Sequence, residues 1–268
     1  MKKKFLLFAL AFVVFYTSCV FATTYDIANA TSAKKMSDYN STTTIDQMDT
    51  VLFGSYPQND MTGVVKEPIE WFVVAIQDDK LYLLSKKILD IQSIGTTNWT
   101  KNYGDTKLHE WLNSYFLNNA FNIAEQTLLV NTEWILESFP VVNNCYWPDY
   151  NDRKDLGVCT AKVSIPSTRN LGYCVGHTIT VGDDYRLESK PTAFAFANIK
   201  KIKDPNNGEV ADYERLAHSY WTRSNNGEKN LWYYDYWGPS SSCFGAYFAF
   251  NRYRGVRPYI VVSLKGEN

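Results

Sequence analysis

Residues 70–85 read EWFVVAIQDDKLYLLS, two apolar runs either side of Gln77-Asp78-Asp79. Aromatic, β-branched and aliphatic residues dominate both runs, and the acidic break is too short for anything but a turn, so the stretch predicts a β-hairpin. Helix signals follow it. Leu108, Trp111, Leu112, Tyr115 and Phe116 recur at offsets of three, four, seven and eight, one apolar helical face. Asn122 with Glu125 three residues on forms a capping pair that starts a second helix through Leu129. Lys162–Ile165 reads as a short strand, and Thr192–Ile199, entered through Pro191, as a short helix. From Tyr220 onward short aromatic strands alternate with Ser, Asn and Gly: Tyr220–Arg223, Leu231–Trp237, Ala246–Asn251 and Val256–Leu264. The last is a strong β run whose pairing into a central sheet would anchor the C-terminus. Strands and helices are mixed without a βαβ rhythm, so the fold class is α+β.

The chain begins MKKKFLLFALAFVVFYTSCVFA, a basic head and an apolar run with small residues near Ala22. This pattern predicts a secretory signal over 1–22, cleaved after Ala22. Its apolar run is shorter than the ~20 residues a spanning helix needs, so no integral span is expected in the mature chain. A second reading takes Tyr16-Thr17-Ser18-Cys19 as a lipid-attachment box with Cys19 acylated. Residues 23–50, rich in Thr, Ser, Asn and Asp without periodicity, read as a flexible polar leader. Residues 51–268 then form a single domain, with Asn143–Gly157 a long polar loop inside it.

Signal removal takes away three lysines and no acid, shifting the formal charge from −1 to −4. A mildly acidic chain without a basic stripe offers no electrostatic reason to bind nucleic acid or anionic lipid. Besides Cys19 four cysteines remain, Cys145, Cys159, Cys174 and Cys243. In an exported chain they suggest two disulfides, with three connectivities open. One of these, Cys145–Cys159, would pin the polar loop. No pair has the C-x-x-C spacing of zinc or thioredoxin chemistry.

Seven segments carry a resemblance: FGSYPQ at 53–58, PIEW at 68–71, LYLLSKKILD at 81–90, WLNSYFLNNAF at 111–121, PTAFA at 191–195, YWTRS at 220–224 and GVRPYIVVSL at 255–264. In order and spread they resemble a bacterial domain-of-unknown-function family common in exported or surface proteins of gut-dwelling bacteria. The closing W-x-R-S and G-V-R-P pair is also similar to the end of C-type-lectin-like folds, which include the sulfatase-modifying-factor group and variable receptor-binding proteins. The resemblance implies a C-type-lectin-like α+β domain, short strands with two or three helices on a central sheet, and no established activity. The chain departs from the pattern at Tyr220, where relatives often carry Trp, and in its cysteines and 143–159 insertion. The paired cysteines of sulfatase-modifying chemistry are missing, so that activity does not carry over.

The densest candidate site is the aromatic run Trp232, Tyr233, Tyr234, Tyr236 and Trp237. Strand alternation puts Trp232, Tyr234 and Tyr236 on one face, where flat rings could stack on a sugar; the competing reading is plain core packing. Trp221 flanks Arg223, whose forked guanidinium could take a carboxylate or sulfate. Alternatively Arg223 and Arg257 make buried ion pairs that fix the final strands. The loop Asp149–Asp155 carries oxygen ligands that could hold calcium, but Arg153 stands where an EF-hand needs an acid. No other cofactor is indicated. His109, His177 and His218 form no nucleophile–base pattern, and Glu133 with Glu137, spaced as on one helical face, is equally usual in solvated helices. The expectation is a secreted or surface-displayed, non-catalytic module that binds a glycan or protein through the aromatic surface. An exported hydrolase of cell-wall or dietary polymers and a structural envelope component are the alternatives.

Overall fold

The computed structural model describes residues 22–95, 103–140, 151–175, 184–202, 217–225, 230–235, 243–248 and 253–265. The signal segment with Cys19 lies outside these residues. Among the described residues no helix is long and apolar enough to cross a membrane.

Strands β1 (Thr24–Asp26), β2 (Thr50–Tyr56), β3 (Glu67–Gln77), β4 (Lys80–Ser85) and β5 (Asp90–Ser93) come first. A continuous helical stretch follows: α1 (Lys107–Trp111), a π-helical turn (Leu112–Phe116) and α2 (Leu117–Ala120); α3 is Ile123–Leu128. Then come β6 (Thr132–Ser138), β7 (Lys154–Ala161), β8 (Val163–Ser164), α4 (Thr168–Val175) and α5 (Ala193–Lys201). The chain closes with β9 (Tyr220–Asn225), β10 (Asn230–Asp235), β11 (Cys243–Phe248), β12 (Tyr253–Val256) and β13 (Tyr259–Ser263). The class is α+β.

Two sheets share one core. The first has the order β1-β2-β3-β4-β13-β8; the second has β11-β10-β9-β12-β5, with β6 joining β9 and β7 joining β6. The hairpin of β3 and β4 turns on Asp78 and Asp79, both at positive φ (50° and 58°), the two-residue geometry that matches strand twist. The run read as one strand, Val256–Leu264, is cut in two. β12 pairs with β5 in the second sheet and β13 lies between β4 and β8 in the first, so Arg257-Pro258 is the corner joining the sheets. β13 is buried along its whole length, which anchors the C-terminal strand as its apolar sequence requires.

The motif glycines have steric causes. A Cβ on Gly54, at φ +70°, would stand 2.6 Å from the Phe121 ring, and one on Gly255 would stand 2.7 Å from the Ser219 carbonyl oxygen. Backbone and ring approach too closely there for any side chain. The capping pair forms as read: Glu125 N–H donates to Asn122 Oδ1 at 2.9 Å and Asn122 N–H to Glu125 Oε2 at 2.8 Å. Thr192 caps α5 through the Ala195 N–H at 3.0 Å. On the first helical stretch Leu108, Leu112 and Phe116 are buried, while Tyr115 is 55% exposed and stacks on Trp111.

Three expectations are corrected. Residues 23–50 are no flexible leader: β1 pairs in parallel with β2, and Ala30, Met36, Ile45 and Met48 are core. Their apolar residues escape periodicity because short 3-10 turns carry them, and Asp49 ties the turns down by accepting from the Thr23 and Lys34 N–H groups. The Tyr39 hydroxyl, which accepts from the Asp49 N–H, is pushed up to about 12 by burial. The end of the polar loop is strand β7, antiparallel to β6. Glu133 and Glu137 lie on β6, not on a helix.

Glu188, at the end of the 3-10 turn Tyr185–Leu187, is half-buried, and burial raises its carboxyl to about 7 against the partial opposition of Lys190. A raised acid favours the protonated native state. Stability should therefore fall as pH rises from the ordinary value of 4.5 to about 7, and level off above. Glu188→Gln should raise the melting temperature at pH 8 and leave it unchanged at pH 4, and an equal effect at both would remove this assignment.

Candidate functional site

Strand β9 carries the YWTRS segment, and all of its side chains are buried although four of the six residues are polar or charged. Each polar group therefore needs an internal partner. Thr222 Oγ1 donates to the Trp232 carbonyl at 2.7 Å, and Ser224 Oγ accepts from the Thr168 N–H at 3.0 Å. The Arg223 Nε donates to the Ile135 carbonyl at 3.1 Å and Nη1 to the Ile165 carbonyl at 2.6 Å.

The aromatic candidates are core, not surface. Trp221 and Trp232 are both 0% exposed and Tyr234 is 4% exposed. The Trp221 indole donates to the Gln92 carbonyl at 2.9 Å, and the Trp232 indole to the Phe139 carbonyl at 3.0 Å. Tyr234 stacks on Tyr220 at 5.0 Å, while Tyr233, on the opposite face, meets Trp221 edge-on at 5.9 Å. Both faces of β10 are covered, so alternation along it does not separate a wet side from a dry one. Tyr236 and Trp237 lie outside the described residues.

Arg223 is instead one wall of a cavity of about 320 Å³ between β6, β9 and the start of α4. Its guanidinium lies 5.3 Å above the Trp134 ring, which in turn meets Tyr259 edge-on at 5.6 Å. Half-buried Tyr82 completes the aromatic wall. Ser167, Arg169 and Asn170 add to the lining, and strand alternation puts Glu133, Ile135 and Glu137 of β6 into it together.

Glu137 is 2% exposed, and its Oε2 accepts from Arg153 Nε at 2.9 Å. Burial raises its carboxyl above the ordinary range, while the guanidiniums of Arg153, Arg223 and Arg169 pull it back down. Burial correspondingly lowers Arg223. A fixed charged cluster against aromatic rings, open to solvent through exposed Arg169 and Ile135, can orient and hold a small polar ligand.

Cys159 is a free buried thiol, raised to about 11 by desolvation, so the Cys145–Cys159 bridge is not formed. Its side chain points inward from β7, and Cys145 lies outside the described residues. The side chains of Cys174 and Cys243 lie outside them as well. Of the calcium loop, Asp149 and Tyr150 are not among the described residues, Arg153 pairs with Glu137, and Asp155 Oδ1 accepts from the Gly157 N–H at 2.7 Å. Among the described residues no three metal-ligating side chains stand together. His109, lowered by burial, sits edge-on to Tyr103 at 5.4 Å, away from the cavity lining.

The model for a domain of unknown function, DUF6273, matches residues 78–264. The chain belongs to the DUF6273 family. No curated protein and no solved structure matches it significantly. The matched span opens in the β3–β4 turn and ends just after β13, so it contains the whole cavity lining. β1 to β3, including the FGSYPQ and PIEW segments, precede it.

Sequence reasoning reached Arg223 for its forked chemistry and singled out Glu133 and Glu137 only as a carboxylate pair. Tyr82, Trp134, Glu137, Arg169 and Tyr259 were not grouped with it, since they come from four separate elements. The one local signal was the Glu133/Glu137 spacing, since residues four apart share a face on a strand as well as on a helix.

Proposed function

We propose that this DUF6273 protein is a non-catalytic binding module of C-type-lectin-like architecture, secreted or held at the cell surface. It takes a glycan or protein group in the Arg223 cavity, not on the β10 face. The observation that carries this reading is a cavity of about 320 Å³ in which a fixed guanidinium, aromatic rings and a buried carboxylate converge on rigid strands. That volume is at the small end of ligand sites, which run roughly 300–1,000 Å³, so one ring-sized group fits. Support for the architecture is the mixed two-sheet fold with its last strand paired on both sides, and for export the signal-like first 22 residues.

The test is binding of the full chain to a broad glycan and protein panel, beside Ile135→Trp. Ile135 is 47% exposed on the cavity lining, so the indole should fill the mouth without touching the core. A ligand class retained by the parent and lost at least about tenfold in Ile135→Trp is expected. Equal retention by both proteins would move the site elsewhere.

The hydrolase reading draws on Glu133 and Glu137 sharing one cavity. Glu137, however, already accepts from Arg153 Nε at 2.9 Å, and that ion pair occupies the carboxylate a glycosidic oxygen would have to reach. Polymer turnover abolished by Glu137→Gln would reverse that judgement.

A further inference from the structure

We propose that the loop 59–67 and the helical stretch 111–128 form a face on which two copies of this chain associate. The loop is built to hold its shape. The Asp60 carboxylate accepts from the N–H groups of Thr62, Val64 and Val65 at 2.9, 2.9 and 2.8 Å. The Glu67 carboxylate accepts from the Asn59 N–H and side-chain amide at 2.8 and 2.7 Å. Gly63, at φ +80°, lets the turn lie on the Phe194 ring, where a Cβ would stand 2.7 Å away. This fixed loop turns Met61, Val64 and Val65 to solvent, Val64 with 79% of its surface exposed. Lys66 fastens the loop to the helices, donating from Nζ to the Asn119 carbonyl at 2.7 Å. Asn119 stands midway in the chain between Tyr115 and Ile123, both exposed, Ile123 by 85%.

Charge and area identify a second copy as what covers this face. Residues 111–128, WLNSYFLNNAFNIAEQTL, hold one charged residue, Glu125, in a chain that is 21% charged. Both Glu125 oxygens are engaged, accepting from the Asn122 and Gly54 N–H groups at 2.8 and 3.3 Å. On the loop, Asp60 and Glu67 are bonded internally and Lys66 is the one cation of 59–67. A lone cation gives little hold on an anionic lipid surface, and the tip lacks the aromatic and basic side chains that seat a chain in a bilayer. A strongly charged protein partner finds no complementary charge here. Two copies related by a twofold axis bring this charge-poor surface against itself, so few like charges are left to repel. The exposed amides of Asn118 and Asn122 each carry a donor and an acceptor and so complement their own kind. Met61, Val64, Val65, Tyr115 and Ile123 together present on the order of 600 Å², the upper end for the largest apolar patch of a monomer. With the amides added, the face approaches the ~800 Å² per partner of a standard interface. A loop already fixed also loses little conformational freedom on docking.

The experiment is sedimentation velocity of the full chain over a range of concentrations, repeated on Val64→Asp, Ile123→Asp and Val158→Asp. Val64 and Ile123 are largely exposed, and an acid at Ile123, in the first turn of α3, suits the positive end of that helix. Both variants should therefore keep the parent melting curve. Val158, half-exposed on β7 and outside the face, is the control. The parent should sediment as a dimer. Val64→Asp and Ile123→Asp should each weaken association at least about tenfold, since a twofold axis sets the new charge against its copy. Val158→Asp should leave association unchanged. A parent that stays monomeric would overturn the proposal. Co-sedimentation of that monomer with phosphatidylcholine vesicles, lost in Val64→Asp, would give the face to a lipid surface instead, and indifference to vesicles would leave it to a different protein. A dimer that survives both Val64→Asp and Ile123→Asp would overturn it as well, since association through the apolar first residues or any other surface behaves that way. Loss in Val158→Asp alone would move the interface to β7.

Discussion

Replacing Trp232 and Tyr234 together by Ala should unfold the protein. Neither ring contacts solvent appreciably: Trp232 is fully buried and donates its indole N–H to the Phe139 carbonyl at 3.0 Å, and Tyr234 stacks on Tyr220 at 5.0 Å. Truncating a buried aromatic costs about 3–5 kcal/mol through lost transfer energy and the cavity left behind. Removing the indole also takes a donor from the Phe139 carbonyl, a further ~1 kcal/mol. Two such losses on one strand approach or exceed the ~5–15 kcal/mol that holds a typical domain together. Circular dichroism of the double variant at 25 °C should show loss of the native spectrum and no cooperative melt. A variant that melts cooperatively within a few degrees of the parent would falsify the buried placement and return these rings to the surface.

Arg257→Ala is expected to be strongly destabilising for a single substitution. The side chain is 0% exposed and joins three parts of the chain: Nε donates to the Ser85 carbonyl at 2.7 Å, and Nη1 to the Leu187 carbonyl at 3.0 Å and the Tyr220 hydroxyl at 3.2 Å. It packs between the rings of Phe72 and Tyr220 at 5.9 and 5.2 Å. Its position at the corner between β12 and β13 makes it the pin of both sheets. Alanine leaves a void and deprives Ser85 of that donor, whereas Leu187 keeps the Tyr220 hydroxyl at 2.9 Å. The sum is about 3–5 kcal/mol, or a melting temperature lower by about 10 °C. Arg257→Lys should fall between, since an ammonium cannot span the same fork. Thermal melts of the three proteins check the order, and an alanine variant as stable as the parent would sink the argument.

Both results bear on how far a sequence can be read. Arg257 and Arg223 were expected to fix the final strands through ion pairs. They do fix them, and the partners the structure shows are main-chain carbonyls of Ser85, Leu187, Ile135 and Ile165, which no residue pattern announces. The hairpin at Asp78-Asp79, the Asn122–Glu125 cap, the Thr192-capped helix and the apolar C-terminal strand were all legible, because each depends on residues within a few positions of one another. The strand Thr132–Ser138 was not, since Trp134, Ile135 and Leu136 are apolar in succession and no polar–apolar alternation marks it. Residues 23–50 were misread for a similar reason, their core side chains being spaced by 3-10 turns with no repeating period.

The sequence by itself determined the α+β class, the turn and cap positions and the aromatic density of the C-terminal third, all of them properties of local spacing and residue chemistry. Only the tertiary structure decided that β10 is covered on both faces, that Val256–Leu264 divides between two sheets, and that Arg169, Arg223, Glu137 and Trp134 share a cavity. Which face of a strand meets water depends on what packs against it from distant parts of the chain, and that information lies in no single segment.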